Sequence, residues 1–192
     1  MLSLKKNQPE TLTDITTLQA GVAWKTSSGG QKGLMGRLRR AVGTDLDLAA
    51  VALEEGRPKR ICWFDNADAF DDGSLITLGD NRSGKGDGDD ETIIARLDKL
   101  PDFIDTVVFI VSAFKQGVSF SNVEGVTLNV YDGNGGRKLG SYLPDIDSRN
   151  NACVMVKARR AAGPEWEIAI VNEMGHATSR EQLLHLAKQH AA

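Results

Sequence analysis

The chain has 192 residues, 41% of them hydrophobic and 26% charged, with a net charge of −3. That length suits one substantial globular domain, and the balance carries no overall basic footprint for nucleic acid. Two cysteines, Cys62 and Cys153, make neither a disulfide scaffold nor a cysteine-rich zinc site; each sits in an apolar run and is expected as a buried free thiol. The opening MLSLKKNQPE has no apolar signal-peptide core, and no stretch approaches the ~20 apolar residues of a membrane-crossing helix, so a cytoplasmic, reducing location is expected.

Charge is segregated along the chain. Residues 25–40 carry five bases and no acid, whereas residues 65–91 carry nine acids against Arg82 and Lys85. Within the basic segment, Leu34, Leu38 and Val42 recur at i+4 between glycines, which predicts a short basic amphipathic helix over residues 33–43. A mobile surface insertion is the plainer reading of that segment, and a docking patch for an acidic partner, an anionic lipid surface or nucleic acid the sharper one.

In chain order, residues 10–19 have mixed spacing and favour neither helix nor strand. Residues 20–24 form a short strand. Residues 45–53 alternate first and then become wholly apolar, placing Asp45 and Asp47 on one face and Leu46 and Leu48 on the other. Residues 54–58 are a hairpin-like turn into a strand over residues 60–64, which ends in the oxygens of Asp65 and Asn66. A turn at residues 71–74 leads to a strand at 75–78. Residues 106–114, TVVFIVSAF, are the central strand, and further strands at 125–131, 138–143, 152–157 and 166–171 are separated by Gly, Asp, Asn and Pro turns. Connections this short leave no room for crossover helices, so the fold is all-β, a two-sheet β-sandwich with short peripheral helices. The tail changes period: Thr178 and Glu181 have capping-box spacing, and Leu183, Leu184, Leu186 and Ala187 make an apolar stripe. The expected organisation is a sandwich domain over residues 1–175 with a helical extension, 176–192, packed on it.

The chemistry concentrates in residues 79–91, GDNRSGKGDGDDE, with five acids, one Asn and four glycines in thirteen positions. Carboxylates this crowded repel unless a positive charge sits among them, and the glycines let the chain fold alternate oxygens onto one point. With the upstream acids, the candidate ligands are Asp45, Asp47, Asp65, Asn66, Asp80, Asn81, Asp87, Asp89, Asp90 and Glu91. All offer oxygen, which favours calcium over zinc or copper, and over magnesium for an all-protein cage. The twelve positions from Asp80 to Glu91 are not an EF-hand, since the third, fifth and sixth are Arg82, Gly84 and Lys85. A solvated loop held by Arg82 and Lys85 is the competing reading. No phosphate-loop pattern is present. His176, His185 and His190 all fall in the last seventeen residues, and no serine has a nucleophile-elbow context, so no enzyme is expected.

These residues resemble the tellurium-resistance TerD family. The likeness rests on Asp45-Leu46-Asp47-Leu48-Ala49, on Phe64-Asp65-Asn66, on the whole acidic segment, on Gln116 to Val123, and on Gly163-Pro164-Glu165-Trp166-Glu167. It spans residues 1–173. It implies a β-sandwich holding two calcium ions at one end of its sheets, drawn from the ten residues above, and a part in resistance to tellurite, phage or chemical stress. It also implies a non-enzymatic adaptor or scaffold that works with other proteins of the same resistance system at the inner membrane face. A metal-dependent enzyme holding a phosphorylated ligand or nucleotide, of the hydrolase class, is the alternative. Two departures, Glu124 to Asn129 in place of a basic side chain and Pro164 before the Glu-Trp pair, lie outside the acid cluster.

Overall fold

The structure is a computed structural model that describes residues 6, 8–26, 45–80, 88–114, 120, 123–143, 150–161, 163 and 165–191. The basic segment at 33–43 and the loop at 81–87 lie outside the described residues. Eleven strands among those described form two antiparallel sheets: β1 (Glu10–Leu12), β2 (Thr17–Thr26), β3 (Asp47–Glu54), β4 (Arg57–Cys62), β5 (Leu75–Asp80), β6 (Glu91–Arg96), β7 (Thr106–Ser112), β8 (Val123–Asp132), β9 (Arg137–Tyr142), β10 (Ala152–Arg160) and β11 (Trp166–Gly175). One sheet runs β1-β11-β10-β7-β3-β4 and the other β5-β6-β2-β8-β9. The predicted all-β sandwich is therefore the fold. Of the helices expected with it, the C-terminal one, α1 (Arg180–Gln189), is the α-helix found among the described residues.

Alternation divides the strands cleanly. Leu18, Ala20, Val22 and Trp24 of β2 meet Leu48, Ala50, Val107, Phe109 and Val111 between the sheets. The opposite faces of β3 and β7 carry Ala49, Val51, Val108 and Ile110, which lie under Leu183, Leu186 and Ala187 of α1. Every residue of β7 is buried for that reason, one face in the sandwich and the other beneath the helix. The apolar run that marked it as the central strand needs both covers.

The β3–β4 hairpin turns through Glu55 and Gly56, with φ of 48° and 71°, the left-handed pair that a two-residue turn requires. Glycine suits the second position because a Cβ there would be strained. Strand β4 ends at Cys62, two residues earlier than predicted, because Trp63 and Asn66 exchange main-chain hydrogen bonds of 3.0 Å and close a tight turn. Residues 10–19, which had no clear period, divide into β1, a bend at Asp14 (φ 62°) and the start of β2.

The helix cap falls one residue after the predicted box. Ser179 is the N-cap and its side chain accepts from Gln182 N–H, while Thr178 donates through its N–H and hydroxyl to Gln182 Oε1. Extended backbone at Ser179, with φ −143° and ψ 160°, makes it the last non-helical residue, so Glu181 falls inside the first turn. Buried Asn151 ties the approach to this helix by donating to the carbonyls of Ala113 (3.1 Å) and Ala177 (2.9 Å) and accepting from Ala177 N–H. Removing the cap with Ser179→Ala is expected to cost about 1 kcal/mol, lowering the melting temperature by roughly 2–4 °C in a domain of this size. An unchanged melting curve in scanning calorimetry would reject Ser179 as the cap.

Candidate metal centre

The starts of β3 and β6 face each other across the sandwich and are joined by a hydrogen bond between the layers. Glu91 opens β6, pairing with Val22 of β2 on one side and with Asp80 of β5 on the other. Its side chain follows Ile93 and Ala95 toward the interior, and Glu91 Oε2 accepts from Leu48 N–H of the opposite sheet at 2.6 Å. Asp90 accepts from Trp24 N–H at 3.0 Å and donates its own N–H to Val22 at 2.8 Å. The two adjacent carboxylates are only 8% and 5% exposed. Consecutive carboxylates at that depth are costly, and main-chain donors meet part of that cost.

Asp45 and Asp47 precede and open β3, both half-buried, with Asp45 Oδ1 shut off from solvent. Asp47 pairs across to Ser112 of β7, so the two side chains share a face with Ala49 and Val51. The Ser112 hydroxyl is buried and has no hydrogen-bond partner among the described residues. Sequence reasoning passed over this serine because it closes an apolar strand without a neighbouring acid.

Asp65 and Asn66 sit at the same end of the β3–β4 hairpin but outside its ladder. Continuing the register Ala50↔Cys62 would set Asp47 opposite Asp65, yet the chain has already turned at Trp63. Asp65 is exposed, and the Asn66 amide donates to Ile61 carbonyl at 2.8 Å within its own turn. Phe64 beside them is exposed, tilted against Trp63 and edge-on to Phe114 at centroid distances of 4.5 and 5.5 Å.

Asp89 takes a different direction from its neighbours. It accepts from Asn129 Nδ2 and lies over Gly21, where a Cβ would overlap its carboxylate. Gly21 and Asn129 pair directly on β2 and β8, on the face that points away from the core. Lys138 of β9 donates to Asn129 Oδ1 at 3.0 Å and stands 5.3 Å from the centroid of the Tyr131 ring. Burial first, and then a hydrogen bond to Asp89 and its charge, push the Tyr131 phenol up to about 12. Asn129, Lys138 and Gly21 had no signal in the sequence, because a polar residue alternating outward in a strand reads as solvated.

Asn81 and Asp87 lie outside the described residues, and Asp80 is placed by its backbone at the end of β5. Among the described residues no three His, Cys, Asp or Glu side chains form a group able to hold a metal ion. The described acids alone therefore make no complete site. Their chemistry suits a hard cation, being carboxylate oxygen throughout, with Ser112 Oγ a further oxygen beside Asp47.

The expected thiols are buried and free. Burial is the main cause that pushes both Cys62 and Cys153 up to about 12. A raised thiol is protonated, and therefore unreactive, at every pH below that value. Ellman's reagent at pH 8 is expected to leave both cysteines of the folded protein untouched and to titrate both in denaturant. Rapid labelling of either in the native state would contradict the burial.

The fold and its acid end define a class: an antiparallel β-sandwich with a buried carboxylate pair where strands of both sheets meet. The chain belongs to the TerD family, whose domain model, described as the TerD domain, matches residues 1–190. It is 32% identical to tellurium resistance protein TerZ of Serratia marcescens, over 92% of this chain and 90% of that protein. It is 30% identical to stress response protein SCP2 of Bacillus subtilis (strain 168), over 95% and 97% of the two chains. In fold it is similar to the crystal structure of a homologue of telluride resistance protein TerD from Streptomyces coelicolor A3(2), with a TM-score of 0.69, 20% identity and coverage of 93% and 98%. Among the described residues, no helix is long and apolar enough to cross a membrane.

Proposed function

We propose that this chain is a calcium-binding, non-enzymatic adaptor of bacterial stress resistance. Its place in a family whose relatives are named for tellurium resistance and stress response supports the biological role. The observation that carries the molecular reading is the buried Asp90–Glu91 pair, with Glu91 bonded to the start of β3 at Leu48, at the point where the glycine-acid loop enters and leaves the sandwich. Two ions are shared among Asp45, Asp47, Asp90 and Glu91 and the loop oxygens of Asp80, Asn81 and Asp87, with Asp65 and Asn66 at the rim. Binding draws the loop's carboxylates together and shapes that end of the sandwich into a surface for other proteins of the same resistance system, in the cytoplasm at the inner membrane face.

The reading is tested by calorimetric titration of chelator-treated protein with calcium, with magnesium as competitor, on wild type and on the double variant Asp87→Asn/Asp90→Asn. Saturable calcium binding that the variant loses is the expected result. At an ion concentration of about 100 Kd, one site stabilises the fold by about 2.7 kcal/mol, raising the melting temperature by roughly 5–10 °C. No heat and no thermal shift would remove calcium from the account. Nucleotide or phosphate retained only in the presence of metal would instead favour the enzyme class.

A further inference from the structure

Among the described residues, the acids singled out by the sequence point in different directions, and the division falls between Asp89 and its successors. Asp90 turns to the main chain of β2 at Trp24, and Glu91 turns into the sandwich toward Leu48. Asp89 lies on the outer face of the five-stranded sheet, against the backbone of Gly21. Its carboxylate heads a chain of donors: Asn129 Nδ2 donates to Asp89, and Lys138 Nζ donates to Asn129 Oδ1 at 3.0 Å. Asn129 is 5% exposed, so its amide is a buried polar group whose two ends are both engaged, the arrangement that holds a side chain in one rotamer. Gly21 is the only residue type that leaves room, since a Cβ there would occupy the carboxylate's place.

We propose that Asp89 is the anchor of the ion-binding loop rather than an ion ligand, and that Gly21, Asn129 and Lys138 are positioning residues that clamp it to the five-stranded sheet. The proposal rests on the calcium reading for its consequence, though the clamp is a feature of the chain with or without an ion. An anchored Asp89 fixes the exit of the loop two residues before Glu91. Residues 88–90 are therefore already held when an ion binds at Asp90 and Glu91, and less ordering entropy opposes binding. Lys138 holds the far end of the Asn129 amide and so fixes the donor that meets Asp89.

The test compares Asp89→Asn, Asn129→Ala and Asp90→Asn by calcium calorimetry, with hydrogen exchange of residues 88–90 measured in chelator as the ion-independent readout. Asp89→Asn preserves shape and hydrogen bonding, so it should keep the wild-type stoichiometry and an affinity within about threefold, the loss of one screened charge. Asn129→Ala should keep the stoichiometry, weaken affinity by about tenfold through the loosened loop, and speed exchange of residues 88–90 even without calcium. Asp90→Asn should lower the stoichiometry. Loss of an ion equivalent in Asp89→Asn would make Asp89 a ligand and overturn the proposal while leaving calcium binding intact. Unchanged exchange and affinity in Asn129→Ala would overturn the clamp. If wild type takes up no calcium yet Asn129→Ala still speeds exchange at 88–90, the clamp stands and the calcium reading falls.

Discussion

The Glu91 carboxylate reaches from the first residue of β6 across the interior to the Leu48 N–H of the opposite sheet, and much of the acid end depends on that crossing. Most contacts between the sheets are apolar and non-directional, so they fix the separation of the layers but not their ends. A charged acceptor on a main-chain donor is directional and stronger than a neutral pair. It sets the start of β3, which Asp45 and Asp47 precede and open, in fixed relation to the start of β6. Asp90, bonded to Trp24 N–H, does the same within the five-stranded sheet. Two consecutive acids thus fasten the start of β6 to both layers, at the exit of the loop richest in carboxylates.

Burial gives this arrangement its tension. Both acids are nearly out of solvent, where a polar group needs hydrogen-bond partners. The main-chain N–H groups of Trp24 and Leu48 donate to these two carboxylates. On the proposed reading, a divalent cation at this junction would couple the order of the loop to ion occupancy. The cation would act on a junction of both sheets, so its effect would reach the β3–β4 hairpin, where Phe64 lies tilted against Trp63 in the open beside Asp65.

Much of the fold was legible because period-two patterning is a local property. TVVFIVS announced a strand covered on both faces, Glu55-Gly56 announced its turn, and the apolar stripe in the tail announced a helix. The failures came where local signals competed. Thr178 and Ser179 are both good caps, and the backbone, extended through Ser179, decides between them. Strand β4 looked two residues longer because Trp63 and Phe64 favour strands, whereas the Asn66 turn removes them from the ladder. The acid cluster was legible as composition but not as geometry. Whether Asp89 faces inward or outward is settled by Gly21 on β2 and Asn129 on β8, respectively 68 residues before and 40 after it, pairing beneath it. A chain read segment by segment carries no trace of that pairing.

The central claim is that the ion and the junction of the two sheets are one site. Amide NMR during a calcium titration tests it most directly, by following the N–H groups of Leu48 and Trp24, which donate to Glu91 and Asp90. The account predicts that both resonances move along a single binding curve shared with the loop amides of residues 81–87. Calcium-dependent shifts confined to the loop, with Leu48 and Trp24 stationary at saturation, would contradict it.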